Sequence, residues 1–196
     1  MHRSYSWQHW DDPHLTNEAN IRFLSNGLVA SGVQHGHDYV ADWQLDASDQ
    51  WVTRRLIVNV RGPDWKRDLE LTRDPSGQWS SETATHGAQP AHLALPGIAP
   101  GTDLADAFDC DLGMCPLTNT MPIRRLGLLE AHVASTQLIM AWVDMPSLQV
   151  IASDQYYGSI DRRTVHYASG TRGVDVELQV DDDGVVVVYP DLARRV

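Results

Sequence analysis

Between Val174 and Val180 the chain alternates without a break: Val174, Val176, Leu178 and Val180 are apolar, while Asp175, Glu177 and Gln179 are polar. No other feature restricts the fold more. Successive side chains of an extended strand point to opposite faces, so a period of two buries one face and wets the other. The same pattern recurs where Tyr39, Ala41, Trp43 and Leu45 interleave with Val40, Asp42, Gln44 and Asp46, and where Leu69 and Leu71 flank Glu70. Further strand-like runs lie at residues 19–24, 28–31, 51–60, 150–157, 163–168 and 185–189.

Turn chemistry separates these runs. Asn26-Gly27 and Asp183-Gly184 suit hairpin turns that require positive φ, and Pro75-Ser76-Gly77 divides two more runs. Short strands joined by tight turns, without intervening helical repeats, predict an antiparallel meander rolled or closed into a barrel-like sheet. Residues 83–100, rich in Ala, Gly, Pro and His, read as a loop before a run at 104–111. Residues 115–129 are irregular, with a helical turn expected near Pro122, because proline suits a first turn. No linker or composition shift divides the chain, so residues 1–196 form one all-β domain with few short helical turns. A domain of this size buries about 70% of its unfolded surface and needs neither disulfides nor a structural metal.

Two runs break the half-polar rule. Leu138, Ile139, Met140, Ala141, Trp142 and Val143 are apolar on both faces, as are residues 185–188. Such strands must be covered twice. A packed helix, a partner subunit or a covering loop would do this, and so would an apolar ligand in a barrel cavity.

The formal net charge of −11 disfavours nucleic acid and anionic membrane surfaces as partners. The first residues carry no apolar signal region, no stretch reaches the length of a membrane span, and Cys110 and Cys115 read as free thiols. These features together predict a cytoplasmic protein. No nucleophile elbow, phosphate loop, dinucleotide fingerprint or zinc-protease motif occurs, and no cofactor or metal is expected. His35 and His37 read as solvated loop residues without a third ligand. Cys115 with His132 is a conceivable dyad, a buried unreactive thiol the default. Asp109 and Asp111 flank Cys110 and share a strand face. They can serve as an acid–base pair, as ion-pair partners of Arg124 and Arg125, or as a polar rim that binds sugar hydroxyls.

The stretch Asp109-Cys110-Asp111-Leu112, followed by Pro116-Leu117-Thr118-Asn119-Thr120-Met121-Pro122-Ile123-Arg124-Arg125-Leu126, resembles the signature of the putative glycolipid-binding family. Blocks in family order surround it: Trp51 to Arg55, Leu69 to Thr72, Val143 to Leu148, Gln155-Tyr156-Tyr157 and Tyr189-Pro190. The resemblance implies a curled antiparallel sheet, an incompletely closed barrel similar to bacterial lipoprotein carriers, with an apolar concavity for a lipid chain. It implies a binding protein for an amphipathic small molecule such as a glycolipid. Asp109, Asp111, Thr118, Asn119, Thr120, Arg124 and Arg125 would then stand near its headgroup, with Trp142, Gln155 and Tyr157 as further contacts. Two alternatives stay open: an enzyme acting on a lipid or sugar derivative through Asp109 or Asp111, and a non-catalytic homodimer that pairs the doubly apolar strands.

Overall fold

The computed structural model describes all of residues 1–196. Seven strands run first as an unbroken meander: β1 (His2–His9), β2 (Thr16–Leu24), β3 (Gly27–His35), β4 (Val40–Ala47), β5 (Arg55–Arg61), β6 (Trp65–Arg73) and β7 (Trp79–Gly87). After the two-residue β8 (Gly97–Ile98) come β9 (Ala107–Leu112), a 3-10 turn over Pro116–Asn119 and the short helix α1 (Thr120–Arg125). The second arm is β10 (Thr136–Val143), β11 (Gln149–Asp161), β12 (Thr164–Ser169), β13 (Val174–Val180), β14 (Val186–Tyr189) and β15 (Ala193–Arg195). All fifteen strands belong to one sheet, which does not close into a barrel. β1 pairs with β15 at its centre, and β7 and β9 form its two ends. No helix is long and apolar enough to cross a membrane.

Alternation places the core as expected. In β4 the side chains of Ala41, Trp43 and Leu45 are buried between more exposed neighbours, and in β5 those of Leu56, Val58 and Val60. The Trp43 ring lies across Gly32 on β3, where an added Cβ would stand 2.3 Å from a ring carbon. Only glycine admits that approach.

Four expectations need correction. The first concerns residues 83–87, which are the second half of β7 rather than loop. They are polar and exposed, so no alternation marks them. β1 carries no clear alternation either, and sequence reading passed over it. Two pairings are parallel, β9 with β10 and β8 with β11. Parallel neighbours need a long crossover, and residues 113–135 provide the one between β9 and β10. Finally, the β2–β3 turn is made by Ser25 and Asn26, and Gly27 has an ordinary negative φ. Gly27 is small because a Cβ there would meet the Ala47 carbonyl oxygen at 2.3 Å. At the other end of the chain, Gly184 does adopt positive φ, +80°.

The doubly apolar strands are covered by the protein itself. Ile139, Ala141 and Val143 join the larger hydrophobic cluster, which β4, β5 and β6 also supply, and Leu138 packs against a smaller one. Val185 enters the first cluster and Val186 the second. The sheet therefore rolls so that the inner face of its N-terminal arm lies on the back of β9 and β10. The outer edge of β9 is occupied in the same way. Thr53 N–H donates to the Phe108 carbonyl at 3.1 Å, and Arg73 Nε and Trp79 Nε1 each reach the Ala107 carbonyl at 3.0 Å. Edges left bare invite pairing with other chains; this one is satisfied by side chains and a turn.

Candidate functional site

On β9 the alternation splits two chemistries. Cys110 and Leu112 enter the larger apolar cluster, while Asp109 and Asp111 face the other way, opposite Met140 and Trp142 of β10. A carboxylate taken out of water must be hydrogen-bonded or paired. The crossing segment supplies the partners. Thr118 Oγ1 donates to Asp111 Oδ1 at 2.8 Å, and Gln155 Nε2 of β11 donates to Asp111 Oδ2 at 2.7 Å. Tyr157 OH donates to Asn119 Oδ1 at 2.8 Å, while Asn119 Nδ2 holds the Pro116 carbonyl at 3.2 Å. Asp109 pairs with Arg125 of α1. Its other oxygen is buried without a partner, and burial outweighs the guanidinium to raise its pKa above the ordinary carboxylate value.

The same face continues across β11, β12 and β14. Tyr157, Tyr167 and Tyr189 contact one another in series at tilted, edge-on angles, with ring centroids 5.1 and 5.8 Å apart. Burial pushes all three phenols above their usual value. At the end of the series Arg172, in the turn between β12 and β13, donates to Tyr167 OH at 3.3 Å and Tyr189 OH at 3.1 Å. Its guanidinium carbon stands 5.7 Å from the centroid of the Trp142 ring. Burial opposes the charge on Arg172, but the Asp111 carboxylate and the phenols prevail, and its pKa is raised.

An apolar cavity of about 520 Å³ opens at one end of the rolled sheet, lined in part by Leu15, Tyr39, Trp65, Leu93, Met114 and Met145. Five of these residues sit in turns and loops (β1–β2, β3–β4, before β8, after β9 and after β10), and Trp65 is the first residue of β6. Behind the wall, Arg67 is buried without a carboxylate partner. It donates to Gln89 Oε1 at 2.9 Å, the Ser147 carbonyl at 2.8 Å and the Ala94 carbonyl, tying both loops to β6. A narrower pocket shares Leu15, Gly36, Tyr39 and Met114 with the cavity, and also reaches Leu192. Leu192 in turn borders a recess of about 360 Å³ whose wall includes Arg172 and Tyr189. The three concavities thus follow one another around the rim.

The ten residues singled out from sequence divide into groups. Asp111, Thr118, Asn119, Gln155 and Tyr157 meet in one buried network, with Trp142 opposite Asp111. Asp109 and Arg125 form an ion pair beside it. Thr120 is buried with its hydroxyl unpartnered. Arg124 turns to Glu130 at 3.1 Å and lies over the Trp51 ring. None of the ten lines the apolar cavity. Sequence reading missed that rim, because its apolar residues come from five separate turns and loops and the start of one strand. It also missed Arg172, a single cation in a polar turn. Tyr167 alternates within its strand and could have been noticed. Cys110 and Cys115 are free and buried, which drives the Cys115 thiol up to about 12, and His132 is exposed. His35 bonds Thr16 at 3.2 Å, and His37 lies 3.4 Å from Asp12.

The model of the family described as "Putative glycolipid-binding" matches residues 4–195. Among solved structures the fold is similar to that of a DUF1089 family protein from Pseudomonas aeruginosa, at 24% identity over 92% of each chain and a TM-score of 0.70. A likeness at that identity speaks for the fold alone. No curated protein matches the chain. Nearly the whole length of the chain is accounted for by one family description, and the protein belongs to the putative glycolipid-binding family.

Proposed function

We propose that this protein binds a single-chain or branched amphipathic molecule of glycolipid type, with the apolar part in the cavity at the open end of the sheet. The carrying observation is that cavity: about 520 Å³, open to the outside, its wall made of Leu, Met, Trp, Tyr and Pro side chains together with His37, Asp38 and His92. Ligand sites are typically concavities of about 300–1,000 Å³ with mostly apolar walls and a few placed polar groups. Each methylene taken from water into such a wall contributes about 0.8 kcal/mol, enough for an acyl chain to supply the affinity. The family description supports the same reading. Asp111, Gln155 and Tyr157, buried away from the cavity, act with Thr118, Asn119, Asp109 and Arg125 to hold the crossing segment in place. The reading sets the protein in a reducing cytoplasm, in keeping with two free cysteines.

The test is native mass spectrometry and calorimetry with dodecyl-chain amphiphiles, on the wild type and on Leu93→Trp, which fills the cavity from a half-buried position. The wild type should carry or take up the amphiphile. The variant should bind at least about tenfold more weakly, a loss of ~1.4 kcal/mol, with its melting temperature unchanged. Unaltered binding in Leu93→Trp would sink the assignment of the cavity.

A further inference from the structure

We infer that the free edge of β7 is an interface between two copies of this chain, which pair antiparallel about a two-fold axis at Thr83 and join their sheets into one. The inference is independent of the amphiphile reading above.

The register decides which backbone groups are free. Asp74 N–H donates to the Gln78 carbonyl and Ala88 N–H to the Asp64 carbonyl, so both ends of the β6–β7 ladder are hydrogen-bonded pairs. Such pairs recur at every second residue of an antiparallel ladder. Ser80, Glu82, Ala84 and His86 therefore turn their backbone groups to β6. Ser81, Thr83 and Thr85 turn theirs outward, where no strand follows. These outward groups find no partner in the rest of the backbone, and every residue from Glu82 to Gly87 is exposed. The loop before β8 touches the strand only through side chains, as where Ile98 N–H donates to Ser81 Oγ at 3.1 Å. Natural sheets blunt a bare edge with proline, lysine or a bulge. β7 has none of these, whereas the β9 edge at the other end is already occupied by Thr53, Arg73 and Trp79.

A second copy fits this edge in a defined register. Pairing β7 with itself about Thr83 sets Ser81 opposite Thr85 and Trp79 opposite Gly87, so the whole strand is matched. The outward groups of Ser81, Thr83 and Thr85 are then all bonded, and the interface is isologous. Glu82 falls opposite Ala84 and His86 opposite Ser80. Like charges placed directly opposite are destabilising, and an axis centred on Glu82 would set two carboxylates face to face. Leu95 adds an apolar contact. The Ala94 carbonyl accepts from Arg67, whose register partner is Thr85, and a Cβ on Gly97 would stand 3.1 Å from the side chains of Ser81 and Thr83. Leu95 thus lies beside the middle of β7 with 81% of its surface exposed, where the partner copy covers it. One strand pair buries less than the roughly 1,200–2,000 Å² of a standard interface, so the dimer is a transient one.

Sedimentation velocity on the full chain from about 10 μM to about 1 mM, the range suited to a small interface, should show a rise from monomer towards dimer. Over the same range, hydrogen exchange should slow at the amides of Ser81, Thr83 and Thr85, while those of Glu82 and Ala84 stay protected throughout. Thr83→Pro removes an outward N–H and spares the β6–β7 ladder, as proline on an edge strand can. It should weaken association at least about tenfold with the melting temperature kept. Leu95→Asp touches no ladder bond and should weaken association in the same direction even if Thr83→Pro misfolds. A monomer at every concentration overturns the inference. So does a dimer whose affinity survives both substitutions, because its interface then lies elsewhere.

Discussion

Two interiors lie on opposite sides of β9 and β10, and they are built by different rules. One, between the rolled arms, is dry: Leu56, Val58, Leu71, Ala141 and Val143 fill it, and volume is what matters there. The other, inside the C-terminal arm, grades from Ile123, Leu128 and Leu178 to three tyrosines and then to Gln155, Asp111 and Arg172. Its residues are held by directional bonds. The first interior gives the sheet a reason to roll. The second satisfies a buried carboxylate from within, through Thr118 and Gln155.

The contrast can be broken from either side. The largest loss should follow Arg125→Met, which leaves the Asp109 carboxylate buried without its hydrogen-bonded cation. Urea unfolding should show a fall of about 3–5 kcal/mol. A loss below about 1 kcal/mol would mean that the pair is effectively solvated. Leu56→Ala in the dry layer should cost about 2–5 kcal/mol by the same measurement, yet leave any uptake of dodecyl-chain amphiphiles untouched. A changed uptake would mean that the dry layer and the cavity are coupled.

Tyr157→Phe removes the donor to Asn119 Oδ1 and should cost about 1–3 kcal/mol by thermal or urea unfolding. A neutral effect would place water, not protein, at that oxygen. The smallest effect concerns pH. Asp109 is raised in the folded chain, so between the ordinary carboxylate value of about 3.9 and its folded value the native state holds a proton that the unfolded chain has lost. Stability should therefore decline as pH climbs through that window. Urea midpoints from pH 4 to 7 should fall less steeply in Asp109→Asn than in the wild type. Parallel profiles would show that Asp109 does not titrate in that range.

Much of this was legible in the amino-acid order. The alternation in β4 and β13 is what a half-covered strand requires, and the bounds of β13 are those of the alternating run. The failures have physical causes. β7 ends the sheet with most of its side chains in water, so nothing forces a period of two on it. Residues 138–143 announced that both faces are covered, but the cover is the far arm of the same sheet, a contact without local signature. At the site, the motif Thr118-Asn119-Thr120 and the carboxylates on β9 pointed to one another. Arg172 did not, because a lone cation between two glycines looks like any solvated turn.

The pairing of β1 with β15 has a consequence for how the chain reaches its native state. Every other ladder along the main path joins strands that are consecutive in the chain, so the sheet is a circularly permuted meander with its seam in the middle. If β15 were joined to β1 and the chain opened before β8, each strand on that path would follow its neighbour in the sheet. In the natural order two arms can form independently from local hairpins, and their union awaits a closure that spans almost the full length of the chain. Non-local closures of that kind slow folding. The permuted chain should fold faster into the same sheet, while the natural one should pass through a state in which both arms exist and the seam does not.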